Sequence, residues 1–183
     1  PIHVALPISG AAVGLGFFTE LVDALHATSP RVQVHVVSKI SSFTRWFLTR
    51  MMQRSFVDVH AFGQAREVVP AYEQLYRREV IGIEITKPSE QAFKALLTPE
   101  QVGGAVLLFC APVGRQEYDN LDFLSRNQLV PHPDDRTLLW ECARAGRPLE
   151  GAERERILKN AAGWRGLELP AGAIGEVVAA GAQ

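Results

Sequence analysis

Residues 2–16, with the sequence IHVALPISGAAVGLG, decide the fold. The apolar run Ile2 to Ile8 is typical of a buried strand, and Ser9-Gly10 closes it with a turn. Apolar residues then recur at helical spacing from Phe17 to Ala27, and Val32 to Val37 is a second, β-branched run. The chain is therefore predicted to begin with a strand, a loop rich in small residues, a helix and a second strand.

The same alternation of strand and helix continues along the chain. Further helices are predicted over 43–52, 68–78, 91–97 and 116–127, and further strands over 56–61, 81–85 and 105–110. This order predicts a Rossmann-like, doubly wound parallel sheet in one α/β domain, 1–183. We place the regular core in 2–127 and a less regular helical tail, with a charged helix near 150–161, in 128–183.

Composition excludes several classes of function. The chain has 19 basic and 20 acidic residues and a net charge of -1, which does not resemble the charge of a nucleic-acid binder. No apolar stretch approaches the length of a membrane span. Cys110 and Cys142 are predicted to be buried, at a strand end and in a helix, without the spacing of a disulfide framework or a metal site. These features predict a cytoplasmic protein with no metal and no cofactor.

The first candidate loop follows the first strand. Parallel strands bring their carboxyl ends to one edge of a sheet, where ligands bind at the point at which strand order reverses. Ser9, Gly10 and Ala11 would let the backbone approach a ligand there, and the next helix would offer N–H groups to a phosphate. A tight turn without a ligand is the alternative, because glycine is common wherever the backbone turns sharply.

The second candidate loop is Thr86-Lys87-Pro88-Ser89-Glu90-Gln91, between an apolar strand and a predicted helix. Ser89 is a good N-cap residue, and Glu90 suits a first helical turn. Helix capping and ligand binding therefore explain the presence of these two residues equally well.

The third candidate loop opens a helix with Arg115, Gln116, Glu117 and, one turn later, Asn120. Gln116 and Asn120 are four residues apart, so a helix places both amides on one face. Each amide offers a donor and an acceptor, which suits the vicinal hydroxyls of a sugar. The alternative is a solvated polar face, as most charged helix starts are.

The three loops, in this order, resemble the carboxyl-terminal half of a GT-B glycosyltransferase, in particular the lipid II N-acetylglucosaminyltransferase and monogalactosyldiacylglycerol synthase group. The matching segments are Leu6 to Gly16, Lys87-Pro88-Ser89 and Arg115-Gln116-Glu117-Tyr118-Asp119-Asn120. The resemblance covers roughly residues 2–127, and only the third segment is specific.

The resemblance implies a nucleotide-sugar donor, usually a UDP-sugar. Ser9 and Gly10 would then face the diphosphate, the Ser89 to Gln91 turn would lie near the α-phosphate and ribose, and Gln116 and Asn120 would hold sugar hydroxyls. Lys94 stands where the family has a ribose-binding glutamate, so Glu90 substitutes for it or the nucleoside is bound differently or not at all. The family's general base lies in a separate amino-terminal acceptor domain, so the catalytic residues stay unknown.

Two other functions fit the same predicted fold. One is a catalytically inert binding or assembly module. The other is an NAD(P)-binding protein of the short-chain dehydrogenase kind, which the Gly10-x-x-x-Gly14-x-Gly16 pattern favours. Against the second, no tyrosine is followed four residues later by lysine, and the second strand ends in Ser38 and Lys39 rather than an acid.

Overall fold

A computed structural model describes residues 1–8, 12, 14–89, 106–109, 112 and 114–168. Strands and helices alternate through most of them. In chain order they are β1 (Ile2–Pro7), α1 (Leu15–Thr28), β2 (Val32–Lys39), α2 (Arg45–Met51), β3 (Val57–Phe62), α3 (Ala65–Arg78), β4 (Ile81–Thr86), β5 (Val106–Phe109), α4 (Arg115–Arg126), α5 (Pro133–Ala145), α6 (Gly151–Ala161) and β6 (Gly166–Glu168).

The six strands form one parallel sheet in the order β3-β2-β1-β4-β5-β6. The predicted α/β class and Rossmann-like sheet are thereby confirmed. The chain adds strands outward from β1 to β3 and then returns to place β4 on the other side of β1. Strand order therefore reverses between β1 and β4, and this reversal marks the position of a ligand crevice in folds of this kind.

The first face of the sheet, which we call the α1 face, is packed by α1 and α2. Alternate residues of β1 and β2, such as Val4, Leu6 and Val34, meet Phe18 of α1 and Phe47 of α2 in one apolar cluster. Side chains alternate between the two faces of a strand, so the remaining residues of these strands face the other side.

The second face, which we call the α3 face, is packed by α3 and α4. Its apolar cluster joins Ala5 and Val37 of the sheet to Tyr72 and Leu75 of α3 and to Leu124 of α4. This cluster is smaller than the one on the α1 face, and polar side chains surround it.

A local irregularity in β4 decides which side chains reach the α3 face. The register against β1 shifts between His3, which pairs with Ile81, and Val4, which pairs with Ile83. Gly82 is the extra residue, as in a β-bulge. The shift lets Ile81 and Glu84, which are three residues apart, both face α3.

Some predicted boundaries differ from the structure. Helix α3 begins at Ala65 rather than at 68, because the Gln64 backbone N–H donates to Glu67 and the two residues form a capping box. The tail is more regular than predicted, because α5 and the strand β6 lie beyond residue 127, and β6 pairs with β5. The predicted helix 91–97 and Cys110 lie outside the described residues, whereas Cys142 is buried in α5 and free.

No helix among the described residues has the length and apolar character needed to cross a membrane.

Candidate functional site

The carboxyl edge of the sheet collects the ends of β1, β4 and β5. These strands are neighbours, so the segments that follow them meet at the place where strand order reverses. All three candidate loops of the sequence follow one of these strands. Parallel pairing therefore brings segments about 80 and 30 residues apart in the chain to a common edge.

The first candidate loop leaves β1 after Ile8, whose backbone N–H donates to the Val37 carbonyl at 2.9 Å. Ala12 and Gly14 have positive φ angles of 51° and 80°, so the backbone turns sharply just before α1 begins. A side chain at Gly14 would be strained in this left-handed conformation. Ser9, Gly10 and Ala11 lie outside the described residues, so their predicted role stays a prediction.

The second candidate loop is compact where it is described. The Ser89 backbone N–H donates to the Lys87 carbonyl at 2.7 Å, and the Thr86 hydroxyl donates to the same oxygen at 3.1 Å. Pro88 is buried, and Lys87 and Ser89 are half-buried. Glu90 and Gln91 lie outside the described residues, and with them the helix that Ser89 was predicted to cap.

The third candidate loop opens α4 as predicted, with Gly114 as the N-cap residue. Arg115 and Gln116 are exposed, Glu117 is half-buried, and Arg115 forms an exposed ion pair with Asp119 at 3.9 Å. The exposed first turn presents Gln116 to solvent, where a ligand at this edge can reach it.

Asn120 joins the third loop to the second. Its side-chain nitrogen Nδ2 donates to the Pro88 carbonyl oxygen at 2.9 Å, across 32 residues of sequence. This bond holds the first turns of α4 against the end of β4. It also means that part of the Asn120 amide serves the protein itself, so a ligand would meet mainly its Oδ1 acceptor.

A buried carboxyl group that the sequence analysis did not single out lies two residues before the edge. Glu84 is fully buried in β4, and the hydroxyls of Tyr72 and Tyr76 on α3 both donate to its Oε2. Its other oxygen, Oε1, has no hydrogen-bond partner among the described residues. We call these three residues the Glu84 triad.

Burial governs the protonation of the Glu84 triad. Desolvation raises the pKa of Glu84 to about 7, although the two tyrosine hydroxyls act in the opposite direction. Burial also raises the pKa of Tyr72 and Tyr76, as does the nearby carboxylate charge. The tyrosines therefore stay protonated donors, while Glu84 changes charge near neutral pH. Two features of the sequence could have indicated this site. Glu84 is the single acidic residue in the otherwise apolar strand Ile81–Thr86, and the preceding helix contains a Tyr-x-x-x-Tyr pair.

Three histidines occupy neighbouring strands on the α3 face, along a diagonal that runs from His3 near the amino edge to His60 near the carboxyl edge. His3 Nδ1 and His35 Nε2 lie 2.8 Å apart, and the rings of His35 and His60 have centroids 5.9 Å apart. Glu79 lies 3.4 Å from His3, and Asp58 lies 3.5 Å from His35. We call His3, His35 and His60 the histidine row.

Burial lowers the pKa of both His35 and His60, against the attraction of Asp58. His35 and His60 are thus mainly neutral at physiological pH. Within the described ranges, no group of histidine, cysteine and acidic residues has an arrangement that could hold a metal ion.

A shallow cleft of about 230 Å³ lies along α4, next to the third loop. Tyr118 and Asp122 of α4 line it, with Arg136 of α5 and Glu168 of β6. Its charged groups are already paired, since Arg136 bonds to Glu168 and Asp122 bonds to Arg126. The Arg136–Glu168 pair joins α5 to the sheet, whereas the Asp122–Arg126 pair lies within α4. Because these charges are paired, the carboxyl edge is the better candidate site.

No family model, curated protein sequence or solved structure matches this chain.

Proposed function

We propose that this chain is the nucleotide-sugar donor-binding domain of a glycosyltransferase, with UDP-sugars as the ligand class. The observation that carries the proposal is the bond from Asn120 to the Pro88 carbonyl, which joins two of the three candidate loops beside the end of β1. The proposal covers donor binding. Transfer of the hexosyl group would need an acceptor-binding domain or a partner subunit.

The diphosphate would bind where β1 and β4 separate. Helix α1 begins at this edge with no acidic side chain in its first turn, so the positive end of its dipole is not offset there. Lys87, half-buried at the end of β4, supplies a cation at the same edge. A site of this kind favours an anion at the position that the family resemblance assigns to the diphosphate.

The sugar would bind against the first turns of α4. Gln116 is exposed there and Asn120 lies one turn further on, with its Oδ1 available as an acceptor beside the Pro88 contact. An amide that gives and accepts hydrogen bonds suits two adjacent hydroxyls. We assign sugar discrimination chiefly to Gln116.

The same bond from Asn120 to Pro88 is equally compatible with the inert binding module, which is the second candidate. The Asn120–Pro88 bond explains the presence of Asn120 by structure alone, without any ligand. The strand order of this sheet also occurs in dinucleotide-binding folds, so the dehydrogenase alternative needs its own test.

Calorimetric titration of the full chain with UDP, UDP-glucose and UDP-N-acetylglucosamine tests the proposal. We expect at least one UDP-sugar to bind more tightly than UDP. Gln116→Ala should weaken binding of that UDP-sugar by about 3- to 10-fold, the worth of one hydrogen bond, and leave UDP affinity nearly unchanged. Gln74→Ala, an exposed glutamine of α3, is the matched control and should change neither.

Three results would overturn the proposal. The first is that no UDP ligand binds. The second is that UDP and the UDP-sugars bind with equal affinity and that Gln116→Ala does not change this affinity. The third is that NAD⁺ or NADP⁺ binds more tightly than any UDP-sugar. The last would favour the dinucleotide reading, and the first would favour the inert module.

A further inference from the structure

Exposed apolar side chains are concentrated at one corner of the molecule. Nine large apolar residues are exposed among those described, and four of them lie between the end of β2 and the residue that follows α2: Ile40, Phe43, Trp46 and Met52. Single exposed apolar residues are ordinary, whereas a cluster of them marks an interaction surface. We call residues 39–52 the β2–α2 corner.

The β2–α2 corner presents its rings on one stripe. Helical winding begins before α2, since the Arg45 N–H donates to the Ser41 carbonyl at 3.1 Å. Phe43, Trp46 and Arg50 are therefore spaced three and four residues apart on one side of the helix. Phe43 is 71% exposed, and Trp46 packs edge-on against the buried Phe47 at 6.1 Å between centroids. That contact holds the Trp46 ring in place while nearly half of its surface faces water.

The charge of the corner has one sign. The stretch 39–56 contains four cations, Lys39, Arg45, Arg50 and Arg54, and no acidic residue, although the whole chain has a net charge of -1. Arg54 is paired with Asp23 of α1 at 2.6 Å. Lys39, Arg45 and Arg50 are exposed, and none of them has an ion pair with any carboxylate in the described part of the chain.

We propose that the β2–α2 corner is a peripheral contact for an anionic lipid surface. Tryptophan and phenylalanine favour the boundary between headgroups and acyl chains, and unpaired lysine and arginine attract anionic headgroups. A second copy of the chain fits poorly, because a symmetric contact would bring the same cations face to face. The corner follows β2, which neighbours β1, so it belongs to the same edge of the sheet as the candidate donor site. The proposal does not depend on donor binding.

Flotation of the full chain with vesicles tests this surface. We expect binding to vesicles of phosphatidylglycerol and phosphatidylcholine, little binding to phosphatidylcholine alone, and weaker binding in high salt, which screens the cations. The double variant W46S/R50Q should reduce the partition coefficient at least tenfold, since removing one cation alone is worth about fivefold. Both residues are substantially exposed, so the fold should be retained, which circular dichroism checks.

The matched control is R154Q/L158S on α6, which also removes one arginine and one exposed apolar residue four positions apart. It should keep the wild-type partition. The proposal is overturned if the wild-type chain does not bind anionic vesicles, or if the control weakens binding as much as W46S/R50Q does. It is also overturned if gel filtration shows that W46S/R50Q abolishes a wild-type dimer, because the corner would then bind a second copy.

Discussion

The two faces of the sheet differ in what they bury. The α1 face is packed almost entirely with apolar side chains, such as Leu6, Val36 and Phe47. The α3 face buries a smaller apolar cluster together with the Glu84 triad and the histidine row. The same strands supply both faces, so the contrast arises because alternate residues of each strand differ in polarity.

This contrast separates two contributions to stability. Apolar burial on the α1 face has no protonation equilibrium, so its contribution does not depend on pH. Buried groups with shifted pKa values link folding to proton binding. We therefore expect the α1 face to provide most of the stability and the α3 face to provide its pH dependence.

The largest expected effect is on the α1 face. Phe47 is fully buried, and Phe47→Ala should lower the free energy of unfolding by about 3–5 kcal/mol through lost burial and a cavity. Urea unfolding at pH 6 and pH 8 should give the same loss. Phe43→Ala, at a site 71% exposed, is the control and should cost under about 0.5 kcal/mol. If the free energy of unfolding lost in Phe47→Ala varied with pH, the α1 face would also contribute to the pH dependence of stability, contrary to our expectation.

The next effect is on the Glu84 triad. The folded pKa of Glu84, about 7, lies above its ordinary value of 4.5, so folding favours the protonated acid. Its contribution is fully present below pH 4.5 and is lost as pH rises through 7. Glu84→Gln removes this titration, so the stability of the variant relative to wild type should improve by about 3 kcal/mol between pH 4.5 and pH 8.

Urea unfolding of both proteins across this pH range measures the change. Glu73→Gln, at an exposed position of the same helix that holds the two tyrosines, is the control and should show no such trend. If the difference between Glu84→Gln and wild type stayed constant from pH 4.5 to pH 8, Glu84 would not titrate as the triad geometry requires.

His35, in the histidine row, should act in the opposite direction. The pKa of His35 is lowered from its ordinary value of 6.5, chiefly by burial, with Asp58 and Glu79 opposing this and His3 and His60 adding to it. Its contribution is present above pH 6.5 and is lost as the pH falls. His35→Gln should therefore become more stable relative to wild type as the pH falls from 7 to 5.

Thermal unfolding of wild type and His35→Gln at a series of pH values measures this gain. His132→Gln changes an exposed histidine before α5 and should not gain on acidification. An equal gain in the control would assign the acid sensitivity to some other part of the molecule.

The smallest effect is at the rim of the α1 face. Arg54 donates two hydrogen bonds to the exposed Asp23 carboxylate, both at 2.6 Å. Arg54→Gln should cost about 0.5–1 kcal/mol, with the same cost at pH 5 and pH 8 and a smaller one in high salt. Chemical unfolding in 0.05 M and 0.5 M NaCl checks this. A cost that fell sharply between pH 8 and pH 5 would mean that charge on the α1 face also titrates in this range.

Much of the fold was predictable because its signals are local. The opening strand, helix and strand follow from apolar spacing within a few residues, and they lie within two residues of their predicted bounds. Helix α5 also had local signals, with Pro133 at its start and Gly146 in a left-handed conformation after its end. Pro131 and Pro133 are also typical of a loop, which is why the tail is predicted to be less regular than it is. Strand β6 has three residues, too few to show any period, and exists through its pairing with β5.

The candidate site was predictable only as a set of loops. The sequence indicated that the segments after β1, β4 and β5 meet at one edge, since parallel strands share their direction. The bond between Asn120 and Pro88 was not predictable, because it depends on the height at which α4 packs beside β4. The Glu84 triad was missed for a similar reason, since the bulge at Gly82 turns Glu84 toward the α3 face.

By itself, then, the sequence determined the alternation of strands and helices, the parallel sheet and the edge at which small and polar loops gather. Periodicity and turn residues carry this information within short windows of the chain. Only the tertiary structure decided which polar groups share a face, which amide bonds to the protein and which rings remain in water. These outcomes depend on register and packing between residues distant in sequence, and no local pattern records them.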